Sequence, residues 1–393
     1  MFDYLQIYDR RERWLVGAFD AALAVCGPIL GLAGRRKSER PPARILLLRL
    51  ERIGDLLMTV DAIDAVRRRA PEAEIHLVVG SWNKAVAELL SSVNTVETLD
   101  APWLARGAGG DRPASVLKRA RSWRGRRFDL AVNFEPDVRS NALVGRSRAA
   151  RRVGFSSGGG SAFLTDSIRY DPSSHVAANA RRIVDLALPP VSGGEETASF
   201  PRLSLPGAIR EQAAGLLRTP TNGRVLVGVH ASGGRAVKQW PVDRLAAVAA
   251  RLAREHHATI VLTGTLDDRP LVDALSSALP QDVPRIDVAG AIELPVLAGV
   301  LERLDLFVTA DTGPMHLAAA VGTPVVGIFG PSDPVRYGPL TDRRRIVTVD
   351  LWCRPCNRVR KPPERCTGRV PDCLNLVETD AVYEAAVDLL NAP

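Results

Sequence analysis

The sequence is poor in cysteine and in aromatic residues, and each scarcity excludes a class of protein. Only 5 cysteines occur in 393 residues, and this odd number argues against a disulfide framework and for a reducing compartment, the cytoplasm. Aromatic residues make up 5% of the chain, and no aromatic-rich surface interleaves its scattered arginines. Nucleic acid is therefore not an expected partner.

The sequence also has no uninterrupted apolar run of membrane-spanning length. Residues 14–34 are largely apolar, but Asp20 interrupts them and Gly27-Pro28 would break a helix. Apolar residues at helical spacing nonetheless share one stripe: Leu15, Phe19, Leu23, Cys26 and Leu30. Basic residues flank this stripe: Arg10, Arg11, Arg13, Arg35, Arg36 and Lys37. Two interpretations stay open, a helix on an anionic membrane surface or a helix docked on the protein's own core. A signal peptide fits less well, because the start is not simply basic and no clear cleavage site follows.

What the chain has in abundance is apolar and basic residues. Hydrophobic residues make up 46% of 393 residues, which predicts two domains of similar size. Lysine and arginine number 52 against 44 for aspartate and glutamate, a formal net charge of +8. This excess suits an anionic partner, such as a phosphate group or an acidic lipid.

Strand-like and helix-like periods alternate along the N-terminal half. The apolar run at 45–48 predicts a strand buried on both faces, and the period changes at Gly54 to that of a helix through Arg69. Further strands are predicted at 74–79, 93–99 and 128–134, and further helices at 82–90 and 114–123. This order is typical of a parallel sheet covered by helices.

The C-terminal half repeats the scheme. Strands are predicted at 225–229, 259–263, 285–288, 306–309 and 324–329, and helices at 242–255, 269–278, 294–304 and 314–321. The predicted fold class is α/β, with two Rossmann-like parallel-sheet domains facing each other across a cleft that binds ligands at the strands' carboxyl ends. The predicted parts are an extension at 1–42, an N-terminal domain at 43–188, a Pro/Gly-rich linker at 189–206, a C-terminal domain at 207–378 and a terminal helix at 379–393.

The segment 311–316 follows a predicted strand and starts a predicted helix. Thr312 can cap that helix, and Gly313 lets the backbone come close to a ligand. The unpaired amides of the first turn then form an anion site that fits a diphosphate. A capped helix without a ligand explains the local sequence equally well, and His316 taken alone is better explained as a core residue.

A second loop, at 230–241, also follows a strand and precedes a helix. It supplies small residues, the hydroxyl of Ser232 and the ammonium of Lys238, which suit contacts to phosphate. An isolated lysine is usually a solvated surface residue. Two such loops at strand ends of one domain favour the functional interpretation.

In the N-terminal half a carboxylate stands at the first strand-to-helix turn. Asp55 can accept a proton as a general base or merely cap the helix, and spacing alone slightly favours the cap. The turn lacks the Gly-x-Gly-x-x-Gly pattern, which argues against a dinucleotide oxidoreductase. No Asp-x-Asp pair occurs in the chain, so a helix N-terminus and Lys238 would have to replace a divalent ion beside a bound diphosphate.

Four of the five cysteines lie in one segment, 353–373, namely Cys353, Cys356, Cys366 and Cys373. Four thiolates suit a tetrahedral structural zinc, although the second pair is spaced more widely than in common zinc knuckles. Free thiols or a disulfide remain the alternatives.

Together these segments resemble glycosyltransferase family 9, the ADP-heptose:lipopolysaccharide heptosyltransferases. The resemblance is carried in order by RLERIGDLL at 49–57, DLAVNFEPDVRS at 129–140 with RVGF at 152–155, KQWP at 238–241, and DTGPMH at 311–316 with GTPVVGIFGP at 322–331. It covers the chain from about Ala43 to the C-terminus, and the ordered combination is far more specific than any one motif.

The resemblance implies a GT-B fold and an inverting, metal-independent transfer that requires no cofactor. A heptose or related sugar would pass from a nucleotide-diphosphate donor, ADP-heptose, to a lipopolysaccharide-core or similar glycolipid acceptor. Asp55 and Lys238 are the implied catalytic residues. The donor-binding candidates are Ser232, Lys238, Asp311, Thr312, Gly313, His316, Asp267 and Asp268. The acceptor-binding candidates are Arg52, Gly54 and Arg139.

The resemblance also bears on location and on the cysteines. A lipid-linked acceptor implies a cytoplasmic protein held peripherally on the inner membrane, where a helix within 1–42 would be useful. Family members carry cysteines after the Gly-Pro loop, so the cluster by itself implies no metal. Two other functions stay open: a sugar-nucleotide epimerase of the same fold, and a non-catalytic module that binds a sugar nucleotide or a lipid.

Overall fold

The computed structural model describes residues 10–26, 40–104, 110–190, 202–217 and 225–392, with the single residues 2, 5, 7 and 200. The chain divides into two compact units, Met1–Ser199 and Phe200–Pro393, each with its own sheet. The predicted linker at 189–206 includes this division, but its residues 191–199 and 201 lie outside the described residues. So do Leu30 and the side chain of Cys26, both of the predicted N-terminal stripe, and the basic residues 35–37 that flank it.

The N-terminal unit is a six-stranded parallel sheet with helices between its strands. The strands are β1 (Arg44–Arg49), β2 (Glu74–Val79), β3 (Thr95–Thr98), β4 (Leu130–Asn133), β5 (Arg151–Phe155) and β6 (Asp166–Ile168). The helices are α1 (Arg10–Cys26), α2 (Ile53–Leu57), α3 (Val60–Arg69), α4 (Lys84–Ala87), α5 (Pro113–Ser122), α6 (Val138–Ser147) and α7 (Val176–Ala187). The strand order is β3-β2-β1-β4-β5-β6, and Ile45 of β1 pairs with Ile75 on one side and Leu130 on the other.

The C-terminal unit repeats this plan. Its strands are β7 (Leu226–His230), β8 (Thr259–Thr263), β9 (Arg285–Asp287), β10 (Leu306–Ala310), β11 (Val325–Ile328) and β12 (Arg344–Val347). Its helices are α8 (Gly207–Leu216), α9 (Val242–Glu255), α10 (Arg269–Ala278), α11 (Leu294–Glu302), α12 (Gly313–Val321), α13 (Pro334–Tyr337), α14 (Asp372–Asn375) and α15 (Thr379–Asn391). The strand order is β12-β11-β10-β7-β8-β9, again parallel throughout.

Each sheet is covered on both faces, which is why its central strands are apolar without alternation. All four residues of the run at 45–48 are fully buried, as expected for a parallel strand with helices on either side. Alternate residues point to opposite faces, so Leu46 and Leu48 join the core with Val116 of α5, while Ile45 and Leu47 point the other way. Each such side chain stabilises the fold by about 1.5–3 kcal/mol through burial.

Some predicted elements differ in the structure. The helix predicted from Gly54 to Arg69 is two helices, α2 and α3, because the Thr59 amide bonds to the Leu56 carbonyl and its hydroxyl donates to the Asp55 carbonyl, which interrupts the α-helical pattern. The helix predicted at 82–90 is a 3₁₀ turn, Ser81–Asn83, followed by the single turn α4. Strands β5, β6 and β12 and helices α6, α7, α8, α13 and α14 were not predicted.

Within the part of the chain that the structure describes, no helix combines the length and the apolar character that a bilayer crossing requires.

Both sheets reverse their strand order at one point. In the N-terminal unit the chain proceeds from β1 through β2 to β3 on one side and then starts again at β4 on the other. In the C-terminal unit the corresponding reversal lies between β7 and β10. Ligands of open parallel sheets bind outside the carboxyl ends of the strands at such reversals. The loops after β1, β4, β7 and β10 are therefore the places to look for a site.

Candidate functional site

The loops that follow β7 and β10 are joined by an ion pair. Lys238 lies in a 3₁₀ turn, Ala236–Lys238, and its Nζ donates to the backbone carbonyl of Asp311 and to the Asp311 carboxylate, 3.1 Å away. Both side chains are largely buried, with 16% and 12% of their surface exposed. The structure thus brings together two residues that the sequence placed in separate motifs.

Asp311 is held ionised by its neighbours. Burial alone would raise the pKa of its carboxyl, but the Lys238 ammonium, a hydrogen bond with Ser332 and the charge of His316 lower it, and the net shift is downward. Ser332 belongs to the loop after β11, so the loops of three adjacent strands meet at this carboxylate. The lysine and the aspartate therefore form a fixed, charged pair.

Helix α12 begins at Gly313 beside that pair. Thr312 occupies the N-cap position and Pro314 stands in the first turn, where its missing N–H costs nothing. The expectation that the Thr312 side chain caps the helix is wrong, because its hydroxyl lies 3.0 Å from that of Thr309 and makes no capping bond. The positive end of the helix is thus not covered by this side chain, which suits an anion. His316 is buried one turn into the helix.

A second contact joins the loops after β7 and β8. Ser232 is buried, its hydroxyl accepts the Gly234 amide at 3.1 Å, and it is hydrogen-bonded to the carboxylate of Asp268. Burial would raise the pKa of Asp268, but hydrogen bonds from Thr265 and Ser232 lower it, and the net shift is downward. Asp267, the other predicted donor contact on this turn, is exposed. Of the two aspartates, Asp268 is the one that the structure places against a predicted site residue.

One glycine in this loop was not singled out from the sequence. A Cβ at Gly233 would lie 2.6 Å from the carbonyl carbon of Lys238 and 2.7 Å from the amide nitrogen of Gln239. The loop folds back on itself here, so only a glycine allows its first half to contact the backbone of Lys238. The position of the lysine therefore depends on Gly233.

In the N-terminal unit, Asp55 lies in the first turn of α2, directly after β1. Its carboxylate accepts the Arg52 amide at 3.2 Å and pairs with the Arg49 guanidinium at 3.4 Å. The side chain keeps 27% of its surface exposed. Asp55 thus caps the helix and remains accessible to a substrate, so the two interpretations of the sequence are compatible.

A buried carboxylate stands behind Asp55, and the sequence did not single it out. Glu135 follows β4 and is 3% exposed. It accepts the amides of Leu50 and Glu51, at 2.7 and 3.0 Å, and the guanidinium of Arg49 at 3.1 Å. Burial raises its pKa to about 7, Arg49 opposes the shift, and the charges of Glu51 and Asp55 add to it. A glutamate directly after a buried strand was the available signal.

The predicted acceptor-binding arginines both contact the loop after β3. Arg52 donates to the carbonyl of Leu104 and its guanidinium lies 4.9 Å from the ring centre of Trp82. Arg139 lies 5.1 Å from the ring centre of Trp103, the neighbour of Leu104, and pairs with Asp137 at 2.9 Å. Such cation–π contacts hold the guanidinium groups in place. Gly54, the third candidate, is buried in α2.

The four cysteines of the segment 353–373 do not form a metal centre in the structure. Among the described residues, no three side chains of His, Cys, Asp or Glu are arranged so that they could hold a metal ion. All four described thiols are free. Burial raises the pKa of Cys373 to about 11, and the charges of Cys356, Cys366 and Cys353 add to the shift. Its thiol is therefore protonated at neutral pH.

Comparison with known proteins places this geometry in context. The chain matches the family model of glycosyltransferase family 9 (heptosyltransferase) over residues 116–366. Lipopolysaccharide core heptosyltransferase OpsX of Haemophilus influenzae is 23% identical over 316 residues, which cover 78% of this chain and 85% of that protein. Lipopolysaccharide heptosyltransferase 3 of Escherichia coli is 22% identical over 348 residues, 86% of this chain and 95% of that protein.

Solved structures share the fold. The family 9 glycosyltransferase of Veillonella parvula superposes with a TM-score of 0.77 at 22% identity, covering 91% of this chain and 99% of that one. ADP-heptose lps heptosyltransferase II of E. coli gives 0.71 at 20% identity, covering 88% and 98%. E. coli heptosyltransferase WaaC with ADP gives 0.61 at 21% identity, covering 77% and 92%. The expected GT-B fold, with two parallel-sheet α/β domains, is confirmed.

Proposed function

Because the chain belongs to glycosyltransferase family 9, we propose that it transfers a heptose, or a related sugar, from ADP-heptose to a lipopolysaccharide-core or similar glycolipid acceptor. The relatives named above are lipopolysaccharide heptosyltransferases, and WaaC has been solved with ADP. One observation carries the proposal for this chain. Lys238, Asp311 and the start of α12 lie together at the strand reversal of the C-terminal sheet.

These residues suit a diphosphate leaving group, which gains negative charge as its bond to the sugar breaks. The first-turn amides of α12 and the ammonium of Lys238 supply positive charge where the departing phosphate gains negative charge. Asp311 keeps the lysine in position before the donor arrives. We propose that this arrangement replaces a divalent ion, so that transfer is metal-independent. Ser232 and Asp268, joined to the same edge of the sheet, are the proposed contacts to the rest of the donor.

The proposed reaction is a direct displacement with inversion. An acceptor hydroxyl forms a bond to the anomeric carbon of the sugar, on the side opposite the diphosphate. The bond from that carbon to the phosphate oxygen breaks, and its electron pair leaves with the nucleoside diphosphate. Asp55 accepts the hydroxyl proton as general base, because its carboxylate remains partly exposed at the end of β1.

The acceptor site is proposed beside Asp55. Arg52 and Arg139 offer positive charge to an anionic core saccharide, and the rings of Trp82 and Trp103 offer flat apolar surfaces to sugar rings. An acceptor of this kind carries lipid chains. We therefore propose that the enzyme works in the cytoplasm, peripherally on the inner membrane.

Nucleotide binding followed by transfer tests the proposal. Calorimetric titration with ADP, UDP and GDP in excess chelator should show ADP binding best, and Lys238→Ala should weaken that binding at least tenfold because the phosphate loses its charged partner. Lys84→Ala, at an exposed lysine of the N-terminal unit, is the matched control. Tighter binding of UDP or GDP would show that the proposed donor nucleotide is wrong. Binding only in the presence of a metal would show that the proposed metal independence is wrong.

Product analysis then separates the candidate functions. With ADP-heptose and a lipopolysaccharide-core acceptor, Asp55→Asn should lower kcat by roughly 10²–10⁴-fold without changing ADP affinity, because a general base contributes about that much. Glu74→Gln, at an exposed carboxylate, should change neither quantity. A changed sugar formed from donor alone would identify an epimerase. Nucleotide binding with no product from the wild type would identify a binding module, and an Asp55→Asn variant as active as an active wild type would show that Asp55 is not the base.

A further inference from the structure

Helix α1 turns an apolar side towards solvent. Four large side chains on it are exposed: Trp14 by 58%, Leu15 by 64%, Phe19 by 52% and Val25 by 73%. At 3.6 residues per turn they lie on one side of the helix, together with Ala18 and Ala22. The exposed side of a surface helix is normally polar, and its apolar side faces the core. An apolar patch of this kind marks a surface that binds a partner.

The other side of α1 is fixed to the N-terminal unit. Asp20, the residue that interrupts the apolar sequence, is 8% exposed and accepts the amide of Gly160 at 2.6 Å. Val16 lies against Gly159, where an added Cβ would come within 2.8 Å of its Cγ1. Gly159 and Gly160 have φ values of 84° and 77°, a conformation that favours glycine. The outward direction of the apolar side is therefore set by this contact.

We propose that the outward face of α1, formed by Trp14, Leu15, Phe19 and Val25, docks on an anionic lipid surface. This proposal deepens the proposed function, and rests on it for the statement that the acceptor is lipid-linked. Tryptophan among aliphatic side chains suits the boundary between headgroups and acyl chains. An apolar face about three turns long, held outward on a folded unit, can insert without unfolding the protein.

The charge around α1 favours lipid over a second copy of the chain. The helix begins with Arg10, Arg11 and Arg13, and the sequence soon after it contains Arg35, Arg36, Lys37 and Arg40. Acidic headgroups attract such clusters. Two copies of α1 packed face to face in parallel would instead bring Arg10, Arg11 and Arg13 of the two chains together. An anionic lipid bilayer complements both the apolar face and the basic residues, because it is apolar inside and negatively charged at its surface.

Vesicle flotation with the full chain tests the proposal. Wild-type protein should float with vesicles of phosphatidylglycerol and phosphatidylethanolamine at least tenfold more than with phosphatidylcholine vesicles. The double variant Leu15→Glu/Phe19→Glu should lose at least tenfold of that binding, because both changes place charge in the inserted face. Leu117→Glu on α5, which adds one of these two charges at a 39% exposed leucine of the same unit, is the control and should bind like wild type.

Each contrary result has a defined meaning. Wild-type protein that stays out of the vesicles, or a double variant that floats as well as wild type, overturns the proposal. It is also overturned if light scattering shows a wild-type dimer that the double variant converts to monomer, since the face would then bind a second copy. ADP affinity and transfer to a lipid-free core acceptor should be unchanged in the double variant, which shows that it is folded. If the wild type floats with the anionic vesicles but neither it nor the variants transfer sugar, the proposed function alone is rejected.

Discussion

At the scale of single residues, Arg49 connects the two carboxylates of the N-terminal site. Its guanidinium donates to Glu135 at 3.1 Å and pairs with Asp55 at 3.4 Å. Burial would lower its pKa, but Glu135 and Asp55 raise it, and the net shift is upward. The arginine is therefore always charged, and its position depends on both partners. We propose that Glu135 acts on Asp55 through Arg49, as a positioning residue.

Replacing Glu135 should change the pH profile of transfer. In the wild type, protonation of Glu135 as the pH falls through about 7 removes one partner of Arg49. Arg49 then pairs with Asp55 alone and weakens it as a base, so activity should fall on the acid side of that pH. Glu135→Gln should lower kcat about tenfold, leave ADP affinity unchanged and remove this acid limb. The measurement is kcat between pH 5.5 and 8.5.

A carboxylate elsewhere in the same unit provides the comparison for Glu135. Glu97 is partly buried, but it pairs with His76 at 2.8 Å, away from the carboxyl end of β1. Glu97→Gln should keep the wild-type pH profile even if it destabilises the fold. A Glu135→Gln enzyme whose profile matches wild type in shape and height would show that Glu135 has no positioning role.

The site residues that the sequence could identify are those whose motifs are local. Lys238 and Asp311 stand at strand-to-helix turns, so their segments predicted loops at a sheet edge. Glu135, Trp82 and Trp103 could not be found this way, because their neighbours come from strands far apart in sequence. The pairing of β1 with β4 brings Glu135 to Arg49, 86 residues away. Burial of a charged residue is set by such pairings and leaves no periodic signal.

At the scale of elements, the loop between β7 and α9 determines where the lysine lies. Gly233→Ala would force the backbone of Lys238 and Gln239 to move, because the new Cβ would overlap it. The ammonium would then shift from the proposed diphosphate site, and ADP affinity should fall about tenfold. Titration calorimetry measures this directly.

The neighbouring glycine supplies the control for that loop. Gly234 has a φ of 66° with nothing within 4 Å of an added Cβ, so Gly234→Asn keeps both the backbone conformation and the space. Its ADP affinity should stay within about twofold of wild type. Equal losses in the two variants would mean that general loop flexibility, and not the contact with Lys238, controls binding.

Elements with a clear apolar period could be predicted with their bounds, and the others could not. Strands β2 and β8 and helices α9 and α10 begin and end at the predicted residues. Strand β5 was missed because it starts Arg-Arg, yet Arg152 is buried and donates to the carbonyls of Phe163 and Ala149. Strand β6 has three residues, too few to show a period. These strands owe their formation to the sheet that they join.

At the scale of the whole molecule, one strand order is used twice. Each unit places its chemically important loops at its own reversal, those after β1 and β4 in one unit and those after β7 and β10 in the other. A sequence with alternating strands and helices predicts two parallel sheets, but it does not give the order of strands within them. That order depends on contacts across the whole unit, and it decides which loops become neighbours.

The stability of the chain should depend on pH through a buried histidine at the carboxyl ends of β7 and β8. His230 is buried at the end of β7, with its Nδ1 3.1 Å from the Thr263 hydroxyl. Burial lowers its pKa, with Asp268 and the Thr263 hydrogen bond opposing, so the folded state binds a proton less readily than the unfolded chain. This contribution to stability is present above the unfolded pKa of about 6.5 and is lost as the pH falls below it.

Urea unfolding at pH 7.5 and 5.5 checks this expectation. Wild-type protein should lose more free energy of unfolding between these two pH values than His230→Gln, which cannot be protonated. His257→Asn is the control, because His257 is exposed with a φ of 53°, a conformation that asparagine tolerates. If His230→Gln shows the same pH dependence as wild type, proton uptake occurs at another group.

The location of α1 on the N-terminal unit affects how the enzyme would encounter the proposed acceptor and donor. Asp20 fixes α1 to the unit that contains Asp55 and Arg52, while Lys238 and Asp311 belong to the other unit. If α1 docks on the bilayer as proposed, a lipid-linked acceptor would be met by diffusion within a plane, while the proposed nucleotide sugar would still arrive from the surrounding water. Encounter with the acceptor is then governed by how many molecules share a membrane area. Altering α1 would change that encounter rate without altering any atom that reacts.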